Sequence, residues 1–223
     1  MARTTVALAL AARAHGRDGT PLSAPETIEA IRSAASSFTG TGGGALAGPT
    51  SVVDGATIVV PLPRPEAVLP TARAIAASVR PARTTFCVAR SELGSTDDSV
   101  ESAILVAERA ASEAAARIDE TDFREARVLV AAPHPGTLVG ALLGLILETY
   151  DGMTDRQRQI VELVRGSETQ QEVANHLGVS RQAVNQSLIA AGWPHVDRAE
   201  ALVERELATL WRGSRRHDDG GEG

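Results

Sequence analysis

The pattern of apolar and polar positions divides the chain into two parts. Up to about residue 150, short apolar runs of strand length alternate with longer segments in which apolar residues recur at helical spacing. This alternation predicts an α/β or α+β domain whose sheet is covered by helices, either ferredoxin-like or another small α/β arrangement. The predicted strands are 4–10, 51–53, 57–62, 84–89 and 127–132, with a hairpin turn at Asp54-Gly55, and the predicted helices are 25–38, 66–79, 98–118 and 137–150.

Residues 153–192 change to three short helical patterns that end in a helix-turn-helix. Two helices joined by a short turn that contains Gly, here Gly178, form the unit that places a recognition helix in the major groove of double-stranded DNA. The pattern therefore predicts an all-α domain after the α/β domain, with an ordinary helical hairpin as the alternative. Side chains suited to capping stand at the predicted helix starts. They are Thr154 with Gln157, Thr169 with Glu172, and Ser180.

The predicted recognition helix runs from Arg181 to about Ala191. Its outward positions suit DNA, because Gln and Asn can pair with adenine and Arg can contact guanine or phosphate. We assign base contacts to Gln182 and Asn185, and phosphate contacts to Arg181 and Thr169. A solvated helix face is the alternative, and the absence of Glu from this face weighs against it. The full set of predicted DNA-binding residues is Thr169, Gln170, Ser180, Arg181, Gln182, Asn185 and Gln186.

A further amphipathic helix is predicted over residues 193–212. It is expected either to cover the three-helix core, with Trp193 as an anchor, or to form a dimer interface that sets two recognition helices about one DNA turn apart. Its apolar stripe consists of Val196, Ala199, Leu202, Val203, Leu207, Leu210 and Trp211.

These elements predict a modular organisation. The predicted parts are a sensory or assembly domain (1–136), an apolar connecting helix (137–150), the helix-turn-helix domain with its C-terminal helix (151–212) and a disordered tail (213–223). The connecting helix is nearly all apolar, so it is expected to be buried on most sides.

Charge limits how such a domain can bind DNA. The chain has a net charge of −6, and all 22 of its basic residues are Arg. Residues 150–212 hold seven Arg against nine Asp and Glu. Because phosphate neutralisation supplies most non-specific affinity, a single copy is expected to bind DNA weakly. We therefore predict binding as a homodimer, or alongside another DNA-bound protein.

Two apolar segments could be mistaken for a signal peptide and a membrane span, but neither fits that role well. The run over 6–12 sits at the short limit for a signal peptide, and a buried first strand explains it better. Residues 128–147 carry no formal charge, but two prolines divide them into a strand and a helix. The expectation is a cytoplasmic protein with no membrane partner.

No pattern in the chain indicates catalysis. The Gly-rich residues 40–48 follow a predicted helix rather than a strand, and a P-loop needs a Lys, which the chain lacks. Asp97-Asp98 precedes a long helix and suits capping better than metal binding. Cys87 lies in an apolar strand and is expected to be buried rather than nucleophilic. We therefore predict no cofactor, no metal and no enzymatic activity.

Residues 153–188 resemble the helix-turn-helix of sigma-factor region 4 and of LuxR-type response-regulator output domains. The resembling residues are 154–157, 169–174, 177–180 and Val184. The resemblance implies binding to DNA or contact with the transcription machinery.

The whole layout is also similar to the SatD family, which implies an α/β domain, an apolar helix and a helix-turn-helix followed by a Trp. Only Asp54-Gly55 remains of that family's Gly-Asp segments, so the resemblance favours a regulator or sensor over an enzyme. The alternatives are a protein-interaction module without DNA contact and a degenerate nucleotide-binding sensor.

Overall fold

The protein is described by a computed structural model over residues 3–36, 50–62, 64–95, 100–119, 127–131, 136–166 and 168–212. The Gly-rich residues 40–48, Asp97-Asp98 and the predicted tail at 213–223 lie outside this range. The described chain divides into two compact units. The first comprises the residues up to Gly144 together with those from Val203 onward, and the second comprises Leu145–Leu202. The domain boundaries predicted from the sequence stay a prediction.

A mixed five-stranded sheet with the strand order β2-β3-β1-β4-β5 forms the centre of the first unit. All neighbouring strands are antiparallel except β4 and β5, which are parallel. The strands are β1 (Arg3–His15), β2 (Ser51–Val53), β3 (Thr57–Leu62), β4 (Arg83–Ser95) and β5 (Val128–Ala131). The helices are α1 (Pro25–Ser36), α2 (Val68–Ser78), α3 (Val100–Asp119) and α4 (Gly136–Gly152), and a 3-10 turn (Pro65–Ala67) precedes α2.

The predicted fold class is confirmed. From β1 to β4 the element order along the chain is βαββαβ. In the sheet, β3 lies between β1 and β2, and β1 lies between β3 and β4. This is the split βαβ order of the ferredoxin-like arrangement. The α3 crossover then adds β5 parallel to β4 at the edge of the sheet.

The two faces of the sheet differ in side-chain size. On one face small buried residues, among them Ala9, Ala11 and Cys87, pack against Ala110 and Ala114 of α3. Because side chains alternate along a strand, the large buried residues of the same strands point to the opposite face. They include Leu10, Ile58, Val60 and Phe86. Helices α1 and α2 contact each other and this part of the sheet. A core of small and branched residues therefore forms with few aromatics.

The β2–β3 hairpin turns at the predicted position. Asp54 has φ 52° and Gly55 has φ 76°, which is the left-handed pair that a tight hairpin turn requires. The Asp54 carboxylate accepts from the backbone N–H groups of Ala56 at 3.1 Å and Thr57 at 3.0 Å. This local chemistry explains why the turn forms at this dipeptide.

Strand β1 is longer than predicted, because it continues from Leu10 to His15. Arg13 is buried in this extension, where its Nε donates to Thr57 Oγ1 at 2.8 Å and its Nη2 donates to Asp54 Oδ2 at 2.6 Å. A charged side chain can be buried when its charge is paired and hydrogen-bonded. The strand therefore passes through a position that the hydrophobic pattern marks as a break.

Helix α4, which is expected to be buried on most sides, buries Val139, Leu143 and Ile146 but leaves one face exposed. Leu138 is 63% exposed and Leu145 is 66% exposed. On another face α4 approaches β5 closely, since a Cβ on Gly140 would lie 2.8 Å from the Val128 carbonyl oxygen. Among the described residues, no helix is both long enough and apolar enough to cross a membrane.

The second unit is helical. Its complete helices are α5 (Asp155–Arg165), α6 (Gln170–Leu177) and α7 (Arg181–Ala190), and the first residues of α8 (Trp193–Arg212) belong to it. One residue of the predicted stripe on α8 is wrongly placed, since Leu202 is 43% exposed. Glu200, a charged residue outside the predicted stripe, is buried. Leu207 and Leu210 line a cleft with Leu8 and Val88 of the sheet, so the second half of α8 covers strands rather than the three-helix core.

Candidate nucleic-acid interface

The starts of α5 and α6 are held by the two predicted capping boxes. Thr154 Oγ1 accepts from the Gln157 backbone N–H at 3.2 Å, and the Gln157 side chain accepts from the Thr154 backbone N–H at 2.8 Å. Thr169 and Glu172 make the same reciprocal pair at 3.2 Å and 2.7 Å. Each box satisfies backbone donors that a helix start leaves without an intrahelical partner. The sequence therefore determines where both helices begin.

The turn between α6 and α7 is stabilised by local geometry. Gly178 adopts the left-handed conformation with φ 65°, and the Val179 backbone N–H donates to the Ala174 carbonyl at 3.0 Å. Ser180 Oγ then accepts from the Ala183 backbone N–H at 3.1 Å and caps α7. These contacts, which follow the predicted pattern, set the direction in which α7 leaves the turn.

A small apolar core holds the three helices together. Ala174 is fully buried, and its small side chain allows α6 to approach α7 closely. The apolar face of α5 is only partly buried, since Leu163 and Val164 keep some exposure. The buried core residues of these helices are Ile160, Val161, Val173, Ala174, Val184 and Leu188.

Helix α7 presents polar side chains on the side opposite this core. Arg181, Gln182, Asn185 and Gln186 are all exposed, while Val184 and Leu188 face inward. Residues three and four positions apart share a helix face, so Gln182, Asn185 and Gln186 form one row with Arg181 beside it. We call these four residues the α7 polar row. No Asp or Glu lies on α7.

The other predicted DNA-binding residues lie at helix starts. Thr169 precedes α6 and Ser180 precedes α7, and both hydroxyl oxygens accept from backbone N–H groups. A hydroxyl that accepts in this way still has one hydrogen of its own, and the Thr169 hydroxyl also interacts with the Glu172 carboxyl, whose pKa it lowers. Gln170, at the first position of α6, lies beside Thr169. The structure thus places four predicted residues on α7, Ser180 immediately before it, and two at the start of α6.

Several arginines of the helical unit are engaged inside it. Arg156 donates to the Gln159 side chain at 2.9 Å and to the Leu177 carbonyl at 3.3 Å. Arg158 bonds to the Met153 carbonyl and to Asp155. Hydrogen bonds to Thr169 lower the pKa of the Glu172 carboxyl, so this residue keeps its negative charge at the start of α6. Arg181 is the exposed positive charge on α7 itself.

A group of four side chains around Arg165, which we call the Arg165 cluster, supports the helical unit. The sequence patterns did not reveal this cluster, whose other members are Tyr150, Trp193 and Glu200. The Arg165 guanidinium lies 5.3 Å from the ring centroid of Tyr150 and 4.8 Å from that of Trp193. It also bonds to both carboxylate oxygens of Glu200, and the Tyr150 hydroxyl donates to Glu200 at 2.9 Å. Burial lowers the pKa of Arg165, but Tyr150 and Glu200 raise it overall. Trp193, the predicted anchor, is the one member that the sequence indicated.

The comparison with protein-family models agrees with this geometry. Residues 151–191 match the family model of Sigma-70, region 4. A helix-turn-helix of the sigma-70 region 4 type therefore occupies this part of the chain. No curated protein matches the chain. Among solved structures, the chain is similar to a regulator of polyketide synthase expression from Bifidobacterium adolescentis, with 16% identity, 97% of this chain and 84% of that chain covered, and a TM-score of 0.30.

Proposed function

We propose that this protein is a DNA-binding transcription regulator that acts through its helix-turn-helix. The observation that carries the proposal is the α7 polar row, which stands exposed on a capped helix with an apolar core behind it. In the proposed complex Gln182 and Asn185 contact base edges, where each good bidentate pair contributes about 1–3 kcal/mol of discrimination. Arg181, Thr169, Gln170 and Ser180 contact phosphates, and Gln186 extends the row.

The charge balance supports binding as a homodimer. Arg156, Arg158 and Arg165 are committed to contacts inside the helical unit, so few positive charges remain to neutralise phosphates. A dimer presents twice as many phosphate-binding groups and places two recognition helices on successive DNA turns. In this proposal the N-terminal α/β unit senses a signal or assembles the dimer, and thereby sets the spacing of the two recognition helices.

The proposed setting is the cytoplasm, where such a regulator meets both DNA and the transcription machinery. The match to Sigma-70, region 4 supports contact with that machinery as a second role for the same domain. The relationship to the SatD family stays a prediction.

A second candidate function is a protein-interaction module that makes no DNA contact. The excess of acidic over basic residues in 150–212 favours it, because a negative surface repels phosphates. In this case the α7 polar row would contact a protein partner instead of base edges.

Selection from a pool of random DNA duplexes with the full-length chain tests the proposal. We expect a motif to be enriched, and its affinity to fall by about 1–3 kcal/mol for each of Gln182→Ala and Asn185→Ala. Gln171→Ala is the matched control, because Gln171 is an exposed Gln of α6 outside the α7 polar row. Failure to enrich any motif, with no binding at any salt concentration, would contradict the proposal and favour the protein-interaction module.

A further inference from the structure

An apolar side chain continues the α7 polar row. Ile189 is 62% exposed, although the inward-facing residues of the same helix, Val184 and Leu188, are 0% and 4% exposed. The fold does not need Ile189 for its core. An Ile with most of its surface in water forgoes the stabilisation that burial would give, so burying the Ile189 side chain against a bound partner would be favourable.

The spacing places Ile189 on the surface that is proposed to face DNA. Gln182, Asn185, Gln186 and Ile189 stand at positions i, i+3, i+4 and i+7 of α7. Base-reading residues of the homeodomain recognition helix have the same spacing. Seven helical residues span about 10.5 Å, which corresponds to about three base-pair steps. A helix that lies in the groove with Gln182 on a base can therefore bring Ile189 to another base pair.

Only one group on the major-groove edge of the four bases is apolar, and this is the C5 methyl of thymine. The other edges present donors and acceptors, which lose water without gaining a hydrogen bond when Ile covers them. Phosphate oxygens are charged and would be poorer partners still. The chemistry of Ile189 therefore selects thymine among the groups within reach of the helix.

We propose that Ile189 packs against a thymine methyl group, so that α7 reads thymine about two to three base pairs from the adenine contacted by Gln182 or Asn185. The inference rests on the proposed DNA-binding function and adds a second element to its specificity. It makes Ile189 a specificity-determining residue, although its side chain carries no hydrogen-bonding group.

Uracil differs from thymine only by lacking this methyl group, so single thymine-to-uracil replacements in the selected site provide the test. Binding of the full-length chain is measured on each duplex. Replacing the thymine that Ile189 contacts by uracil is expected to weaken binding by about fourfold, because about one buried methyl group is lost. Ile189→Ala should weaken binding to the thymine site and remove the difference between thymine and uracil at that position alone. Ile189→Val should retain most of the difference in binding between the thymine and uracil duplexes.

Leu145→Ala is the matched control, because Leu145 is a similarly exposed apolar residue that lies on α4. It should leave the thymine preference unchanged. If the chain binds its motif through Gln182 and Asn185 but every uracil duplex binds as well as the thymine duplex, the inference is overturned while the proposed function stands. If no DNA motif is selected and Ile189→Ala instead abolishes binding to a protein partner, the inference about Ile189 and the proposed DNA-binding function are both overturned.

Discussion

Nη2 of Arg165 lies 2.8 Å and 2.7 Å from the two carboxylate oxygens of Glu200, and this contact joins the end of α5 to α8. The side chains are 21% and 11% exposed, so the pair is largely withdrawn from water. Tyr150 and Trp193 flank the guanidinium with their rings. The contact therefore positions α5 against the first half of α8.

Removal of Glu200 should destabilise the helical unit. Glu200→Ala leaves the Arg165 charge without its carboxylate in a largely buried site, which costs about 3 kcal/mol. The free energy of unfolding, measured in urea by circular dichroism, checks this. Glu206→Ala is the control, because its pair with Arg205 is exposed and contributes about 0.5 kcal/mol or less. An equal loss of unfolding free energy in the two variants would show that the buried pair stabilises the protein no more than the exposed pair does.

Gly178 should resist replacement because of its backbone conformation rather than for lack of space. Gly178 and Gly152 both have open space where a Cβ would stand, but only Gly178 of the two has a positive φ. We expect Gly178→Ala to lower the free energy of unfolding by about 1 kcal/mol and Gly152→Ala to be neutral or slightly stabilising. Thermal unfolding of the two variants beside the wild type distinguishes these effects. A Gly178→Ala protein as stable as Gly152→Ala would contradict the explanation.

The start of α6 should weaken in acid. Hydrogen bonds from the Thr169 backbone and hydroxyl lower the pKa of Glu172 from its usual 4.5. A carboxyl with a lowered folded-state pKa contributes stability above its unfolded-state pKa, and this contribution is lost as the pH falls through the folded value. Stability should therefore decrease below about pH 4.5 more in the wild type than in Glu172→Gln, which cannot ionise. Urea unfolding between pH 7 and pH 3 measures the difference, and parallel curves for the two proteins would refute it.

Cys87 should be unreactive in the folded protein. It is fully buried in the sheet, and burial raises the pKa of its thiol to about 12. Because the thiolate is the reactive form, a thiol reagent at pH 8 should label the chain only after denaturation. The chain has a single Cys, so labelling followed by mass measurement reports on this site alone. Rapid labelling of the folded protein would show that β4 opens locally.

Local chemistry explains which parts of the structure were predictable. The capping boxes at Thr154 and Thr169 depend on residues three positions apart, and the Asp54-Gly55 turn depends on two adjacent residues. Each of these features was predicted and found. The alternation of strands and helices is a similarly local signal, so the fold class followed from it.

Features that depend on distant residues were missed. Arg13 continues β1 because Asp54 and Thr57, more than forty positions away, satisfy its guanidinium. Glu200 is buried because Arg165 and Tyr150 meet it, whereas helical periodicity assigned its neighbours to the apolar stripe. Helical spacing alone puts Ile189 on the face of Gln182 and Asn185, and the structure adds that this large apolar side chain remains 62% exposed.

Arg181 and Gln182 should affect DNA binding in different ways, although they are adjacent. If Arg181 contacts a phosphate, Arg181→Ala weakens binding to every sequence and reduces the slope of log K against log salt by about 0.9 for each phosphate that it no longer neutralises. Gln182→Ala removes a base contact, so it should relax sequence preference and leave the slope unchanged. Titrations of both variants with the selected duplex and with a scrambled duplex, at several salt concentrations, separate the two roles. An unchanged slope in Arg181→Ala would exclude Arg181 from phosphate binding and leave that role to Thr169, Gln170 and Ser180.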